Sequence, residues 1–484
     1  VQKPAHLFDR DWEWEQLARF VADERPGATL GVVSGRRRQG KSILLHAIAE
    51  QTAGFYYEAI DGSEQDILRD LGTKLAAWSD APAPFTFSSS EQALDALGRP
   101  RAGQQPHVVV LDEFPALASA NASLPSLVRN WLGASTRTAN STSVRLLLCG
   151  SALSFMGELL AGQSPLRGRA GLELVVRSFD FRTARAFWGL DDLTLAARVF
   201  AIVGGTPAYR REFVADDVPK GARDFDAWVC RTALNPSCPL FREVRYLLAE
   251  DPAIGDLALY HSVLAAIAAG ETSSARIASR LGRPATALGH PLNVLADAGF
   301  VLREQDAFHQ KRVHYAITEP LVEFHHAILR PWWSELERPG HARDVWQRSQ
   351  ATWKTQVLGP AFEAMCRSWV RDHAAPSTFG QVSAVRRALV PDAEQQKNHE
   401  LDVVVLGEHN RVLAIGEVKW GERMGNPDVE RLRRVLGLLA TRGHDTKDAR
   451  VACFSSAGFS SELQRKAREG RVVLVDLERL YGGE

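Results

Sequence analysis

Gly35-Arg36-Arg37-Arg38-Gln39-Gly40-Lys41-Ser42 decides the fold of this chain. Upstream, Ala28 to Ser34 is apolar enough to be a buried strand, and downstream Ile43 to Gln51 is Ala-rich and helical in pattern. The glycines therefore fall on a strand-to-helix turn, the setting a phosphate-binding loop requires. Gly35 and Gly40 let backbone wrap around phosphate oxygens, while the amides of Arg36, Arg37, Arg38 and Gln39 and of the following helix turn their N–H groups toward the anion. Lys41 is expected to reach the β- and γ-phosphates, and the Ser42 hydroxyl to hold Mg²⁺.

Working outward, Gly54 to Ala59 reads as a second strand, Glu64 to Trp78 as an amphipathic helix, and His107 to Leu111 as an apolar strand that runs into Asp112 and Glu113. Alternating strands and helices predict a parallel, doubly wound sheet, with ligands at the carboxyl ends of its strands. There Asp112 is expected to hold Mg²⁺ through water and Glu113 to polarise the attacking water. Val144 to Gly150 predicts another strand, ending at Ser151, a candidate sensor of the terminal phosphate or a plain turn serine. Arg169, after Ser164-Pro165-Leu166-Arg167-Gly168, is a candidate arginine finger or a solvated surface residue.

These elements, with Gly204-Gly205-Thr206-Pro207-Ala208-Tyr209 after them, occur in an order that resembles the archaeal-type ATPases, a branch of the AAA+/STAND P-loop proteins. Arg167 departs from that pattern, standing where the family often has an aromatic residue. The resemblance implies ATP and Mg²⁺ as cofactors and a helical lid over residues 191–252, with Pro207 near the nucleotide base. It leaves open whether Arg169 serves its own subunit or a neighbour's, and with that the question of a homo-oligomer.

Leu257 to Ala269, Ser273 to Leu281 and Ala285 to Ala298 predict three helices, followed by a hairpin of 300–303 with 314–317. That is the order of a winged helix, assigned to 253–335. Its third helix is poor in basic residues, whereas the wing carries Arg303, His309, Lys311, Arg312 and His314. Non-specific phosphate contacts from Arg303, Lys311 and Arg312, and packing against another part of the chain, both fit this pattern. Residues 331–350 read as a tryptophan-rich connector.

Beyond residue 350, a helix at Gly359 to Val370 precedes expected strands at 378–389, 399–407 and 412–420, a helix at 428–440 and a strand at 450–455. Alternation along a strand sets Glu400 and Asp402 on one face, and Glu417 and Lys419 on one face of the next. Charges inside apolar strands are costly unless paired or metal-bound. Two carboxylates beside a lysine fit Mg²⁺, with Mn²⁺ as a substitute. Asp402…Glu417-Val418-Lys419 resembles the PD-(D/E)XK nuclease superfamily, although Leu401 replaces the usual proline. The resemblance implies Asp402 and Glu417 as metal ligands, Lys419 as the catalytic lysine and Glu363 as an accessory acid. Arg431, Arg433 and Arg434 on the later helix are candidate phosphate contacts.

A chain of 484 residues with 45% apolar and 24% charged side chains predicts several globular domains. Lys plus Arg equals Asp plus Glu at 58 each, so any nucleic-acid surface must be local. Five scattered cysteines without a C-x-x-C pair argue against a disulfide framework or a zinc site and fit a reducing cytoplasm. No apolar run is long enough for a membrane span. The expected architecture is α/β: a parallel-sheet P-loop ATPase core (1–190), the helical lid, the winged helix and a restriction-endonuclease-like α/β domain (350–484). The expected function is an ATPase coupled to a metal-dependent endonuclease acting on nucleic acid, probable substrate DNA, in defence or repair. The alternative is a nucleotide-regulated signalling switch or a remodelling ATPase whose last domain only binds nucleic acid.

Overall fold

The computed structural model describes residues 1–24, 27–99, 107–135, 143–251 and 253–482. The expected boundary residues Pro252 and Glu484 lie outside them. Five parallel strands form the first sheet: β1 (Ala28–Ser34), β2 (Phe55–Glu58), β3 (His107–Asp112), β4 (Val144–Gly150) and β5 (Ala170–Val175), in the order β2-β3-β4-β1-β5. Strand alternation splits its core. Val109, Leu111, Leu146 and Leu148 pack with the helices Glu64–Trp78 and Leu124–Ser135, whereas Val108, Val110, Leu147 and Cys149 pack with Asp11–Val21 and Lys41–Gln51. The sheet is covered on both faces, as a parallel sheet must be. This is the P-loop ATPase type of core that the loop and the strand alternation led us to expect.

The lid consists of short helices, with a π-helical turn at Tyr209–Phe213 where a regular helix was expected. Leu257–Ala268, Ser274–Leu281 and Gly289–Asp297 are the three helices of the winged module. The third starts four residues later than expected, after a 3-10 turn at Ala285–Leu288. Pro291 explains the shift, because proline lacks an N–H and is accommodated in a first turn, not in a helix interior. β6 (Val301–Gln305) and β7 (Val313–Ile317) pair antiparallel as the wing.

Residues 331–350 are not a bare connector. Trp346 and Trp353 are buried and meet each other at 5.6 Å, and Phe225 and Phe324 lie within 6.3 Å of both. They belong to one apolar core that continues from the lid through the winged module into the C-terminal part. Trp346 is core, and Trp332 and Trp333 pack half-buried against that core, which is why a segment expected to link domains is rich in tryptophan.

The second sheet contains β8 (Ala384–Asp392), β9 (Lys397–Leu406), β10 (Val412–Lys419), β11 (Arg450–Ser455) and β12 (Val472–Val475), in the order β12-β11-β10-β9-β8. β8, β9 and β10 run antiparallel, and β10, β11 and β12 parallel. β8 begins later than expected, because Pro376–Phe379 forms a short helix before it. As an edge strand, β8 exposes unpaired backbone groups. The wing covers them: Leu389 N–H donates to Asp306 Oδ2 (3.0 Å), Arg312 to Leu389 O (2.9 Å) and Ala307 N–H to Arg387 O (3.1 Å). His314 Nε2 lies 3.0 Å from the same Asp306 oxygen. Burial opposes ionisation of Asp306, yet His314 and the Phe308 and Leu389 amides hold its carboxyl below its ordinary value.

Asp306→Ala would strip an acceptor from a buried cluster of donors, at a cost of about 3–5 kcal/mol. Hydrogen exchange should then accelerate at the Leu389 and Ala307 amides. Unchanged protection at both would refute wing docking as what closes this edge.

Candidate functional site

β4 lies between β1, which leads into the glycine loop, and β3, which ends in the acids. Ser151, just past β4, therefore falls between Lys41 and Glu113. Gly35 is required for a specific reason: a Cβ there would lie 2.3 Å from Val176 O, at φ +151°. Gly40 takes φ +88° immediately before Lys41, the first residue of the helix. The Lys41 ammonium is buried and donates to Arg36 O at 2.9 Å. Burial lowers its pKa, against the pull of Cys149, Glu113 and Asp112. A desolvated cation held by one carbonyl at a helix N-terminus suits a phosphate.

Asp112 is buried at the end of β3 and accepts from Tyr56 Oη (2.7 Å) and from the Glu113 amide (2.9 Å). Glu113 is held in the left-handed region at φ 51°, a conformation rarely adopted by a residue with a side chain. The Ser151 hydroxyl donates to the Glu113 carboxylate, at 3.1 and 3.2 Å from its two oxygens, and accepts from Arg37 Nε at 3.3 Å. The loop lines a cavity of about 460 Å³ with Glu113, Pro207 and Arg211, within the usual range of small-molecule sites. Sequence reasoning missed the aromatic wall of this cavity. Phe8, Phe179 and Phe187 meet edge to face or tilted at 5.2 to 5.8 Å, and Arg10 lies over Phe179 while donating to Gln39 O at 3.0 Å.

The loop arginines supply backbone to the cradle, but their side chains turn to acids of later segments. Arg36 pairs with Glu319 at 2.9 Å, Arg37 with Glu250 at 3.4 Å, and Arg38 with Glu243. Arg169 is exposed and precedes β5, whose first residue is level with Leu30 while Val175 is level with Ser34. At the usual strand rise, that sets the backbone of Arg169 roughly 20 Å along the sheet from the loop of its own chain.

At the C-terminal site, between the pairs Arg386–Val404 and Ala388–Leu401, two residues of β9 (Asp402 and Val403) stand opposite one of β8 (Arg387), a bulge. Bulges re-aim side chains, and simple alternation could not show this one. β9 and β10 pair as far as Val403 and Gly416, with Asp402 just beyond. Its carboxylate accepts from the Val418 amide at 2.8 Å. Burial, then the charges of Glu363 and Glu417, raise the Asp402 pKa well above its ordinary value. Burial also raises Glu417, against Arg431 and Lys419. Lys419 reaches Asp428 at 2.8 Å. Arg367, buried on the helix Gly359–Asp372, donates to Asp402 O (2.9 Å) and lies 3.4 Å from Glu363. Glu363, Arg367 and Glu400 line a cavity of about 560 Å³ shared with the lid and the winged module.

The expected phosphate contacts are largely occupied within the chain. Arg312 serves the docked wing, Arg431 pairs with Glu417, and Arg434 pairs with Asp392 at 2.7 Å and Glu394 at 2.6 Å. These cations are partly buried beside acids, which stabilise them in place. Arg303 and Lys311 are exposed on the wing, and Arg433 is half-buried. No helix among the described residues is long and apolar enough to cross a membrane.

A family described as archaeal and bacterial proteins of unknown function matches residues 322–432. An uncharacterized protein of Methanocaldococcus jannaschii is 23% identical over 424 residues, covering 84% of this chain and 85% of that protein. Among solved structures, the Walker-type ATPase of Pyrococcus abyssi is 18% identical, covering 66% of this chain and 96% of that one, at a TM-score of 0.46. The Aeropyrum pernix ORC2 protein is 16% identical, covering 72% and 97%, at 0.42.

Proposed function

We propose that the chain is an ATPase whose nucleotide site governs a metal-dependent nuclease acting on DNA. The observation that carries the ATPase reading is the buried Lys41 ammonium at the head of its helix, beside Asp112 and Glu113. The loop amides and Lys41 bind the phosphates, and Phe8, Phe179, Phe187 and Pro207 form the slot for the base. Ser42 and Asp112 hold Mg²⁺, which when bound neutralises charge on the phosphate oxygens. Glu113 takes the proton of the attacking water, and Ser151 fixes the carboxylate that receives it. Arg169 acts on the nucleotide of a neighbouring subunit, which makes a homo-oligomer part of this reading.

For the second centre, what supports the nuclease reading is the placing of Asp402 against β10, where its carboxylate accepts from the Val418 amide between Glu417 and Lys419, with Glu363 raising its pKa further. Glu363 and Glu417 disfavour the charged form of a half-buried Asp402, and a divalent ion relieves that cost. Asp402 and Glu417 hold the ion, which when bound acts as a Lewis acid and lowers the pKa of a water. Lys419 orients that water, and Glu363 is the accessory acid. The domain division expected from the sequence belongs to this proposal. A second reading, a nucleotide-regulated switch without cleavage, is favoured by the Glu417–Arg431 pair and the Lys419–Asp428 pair, which occupy the same groups.

Calorimetry and turnover assays test the first centre. Lys41→Ala should abolish ATP binding, whereas Glu113→Gln should keep binding and lose about 10²–10⁴-fold in turnover. Unchanged affinity in Lys41→Ala would refute the phosphate-loop assignment.

Cleavage of plasmid, linear and single-stranded DNA with Mg²⁺ or Mn²⁺ tests the second. Asp402→Ala should remove cleavage and leave ATP turnover intact. The folded-state pKa values of Asp402 and Glu417 are raised, so their protonated forms persist above the ordinary carboxylate range of about 4. Activity should therefore fall on acidification at a higher pH than ordinary carboxylates would give. No cleavage by the wild type under any of these conditions would favour the switch.

A further inference from the structure

His325 and His326 open a π-helical turn, His325–Leu329, beside His261 of the helix Leu257–Ala268. Each offers one ring nitrogen, and the three nitrogens lie within 4.8 Å of one another. His261 Nδ1 is 3.1 Å from His326 Nε2, and His326 Nδ1 is 2.8 Å from Val322 O. A carbonyl can only accept, so Nδ1 of His326 carries the proton and Nε2 presents a lone pair toward His261. His325 is 1% exposed, and its Nδ1 has no hydrogen-bond partner among the described residues. A buried polar atom without a partner costs about 1–3 kcal/mol. An aromatic hydrocarbon would fill that space without this cost, so packing gives no reason for an imidazole. Short π-helical turns in proteins are frequent at functional sites.

We propose that His261, His325 and His326 form a binding site for a divalent transition metal ion, with zinc the best match. Zinc–nitrogen bonds of about 2.0–2.1 Å in a tetrahedron set ligand nitrogens about 3.3 Å apart, close to the spacing of His261 and His326. The ligands are in the required form: burial holds His261 at about 4 and His326 at about 3, and His325 also lies well below its ordinary value. Neutral imidazole is the ligating species. Arg245 and Arg330 face the cluster and contribute to these depressions. The same charges repel a bare dication, so the fourth position takes an anionic oxygen such as hydroxide. His326 opens onto a cavity of about 410 Å³ that Arg280, Arg330 and Gln356 also line, which gives that position access. The site is distinct from the carboxylates of the second sheet in both location and ligand type, since imidazole suits zinc and carboxylate oxygens suit magnesium.

Full-length metal-free protein, dialysed against Zn²⁺ in excess Mg²⁺, tests the proposal by elemental analysis. Magnesium occupies oxygen sites and leaves the imidazoles to zinc. Wild type should retain stoichiometric zinc, melt at a higher temperature with it, and show visible absorption typical of low-coordinate nitrogen ligation when loaded with Co²⁺. Loss of outer-sphere partners costs 10–100-fold in metal affinity, so loss of a ligand should cost at least about 100-fold. His325→Phe should therefore lose zinc, its melting shift and the cobalt bands, while the metal-free variant melts at or above metal-free wild type because an orphaned polar atom is gone. His261→Gln, on a less buried ligand, gives the same readout should His325→Phe fail to fold. Wild type without stoichiometric zinc, or zinc retained by the folded variants, overturns the site.

Discussion

Arg36 reaches across 283 residues of sequence to Glu319, and both side chains are almost buried, at 12% and 5% exposure. Burying two charges gains little over an apolar pair, but removing one partner leaves the other stranded, at about 3–5 kcal/mol. Burial alone raises the Glu319 carboxyl, and Arg36 opposes that shift. The pair joins the phosphate loop to the entry of the helix Pro320–Phe324. Arg38 with Glu243 and Arg37 with Glu250 add ties to the helix Pro239–Ala249 and to the residue that caps its C-terminus. A loop that must wrap an anion is thus braced from outside by its own cations, and its position is coupled to the lid and the winged module.

Legibility from the sequence follows the range of the interactions. The loop, the acids after β3 and the Glu417-Val418-Lys419 strand are local patterns, and each could be read from spacing alone. The partners of Arg36, Arg37 and Arg38 lie more than 200 residues away, with no local mark. β5 was missed because only Leu174 of its six residues is buried, so it carries no apolar run. The bulge at Asp402 depends on β8, and the ion pair of Arg431 depends on how its helix lies on the sheet. His261 and His325 are 64 positions apart, outside any metal-binding spacing a sequence would advertise.

The wing shows the same limit from the other side. Its basic residues offered two readings from composition, backbone phosphate or protein. Asp306 is the residue that separates them, because it gathers His314, Arg312 and the Leu389 amide around one carboxylate. An unpaired edge strand is a standing liability, and covering it consumes the charges that nucleic acid would need. What stays exposed, Arg303 and Lys311, is a small cationic remainder.

The same wing lies on one route of buried charge between the two centres. Glu319 receives Arg36 at the start of the helix Pro320–Phe324, and Glu323 on that helix lines the shared cavity, its carboxyl pushed up to about 8 by burial against the pull of Arg387. Arg387 of β8 pairs with Glu304 of the wing at 3.7 Å and faces Arg367, which holds the Asp402 carbonyl. Contiguity of this kind supplies a path, whereas coupling requires an element that both ends bias. The five-residue helix meets both sides: the residue before it, Glu319, pairs with a phosphate-loop arginine, and Glu323 in its last turn feels the charge of Arg387. Displacing Arg36 would strand Glu319 and relax one end of the helix, while a cation among Glu363, Asp402 and Glu417 would shift the field felt by Arg367 and Arg387 at the other. The two centres therefore share a structural element even though no residue belongs to both.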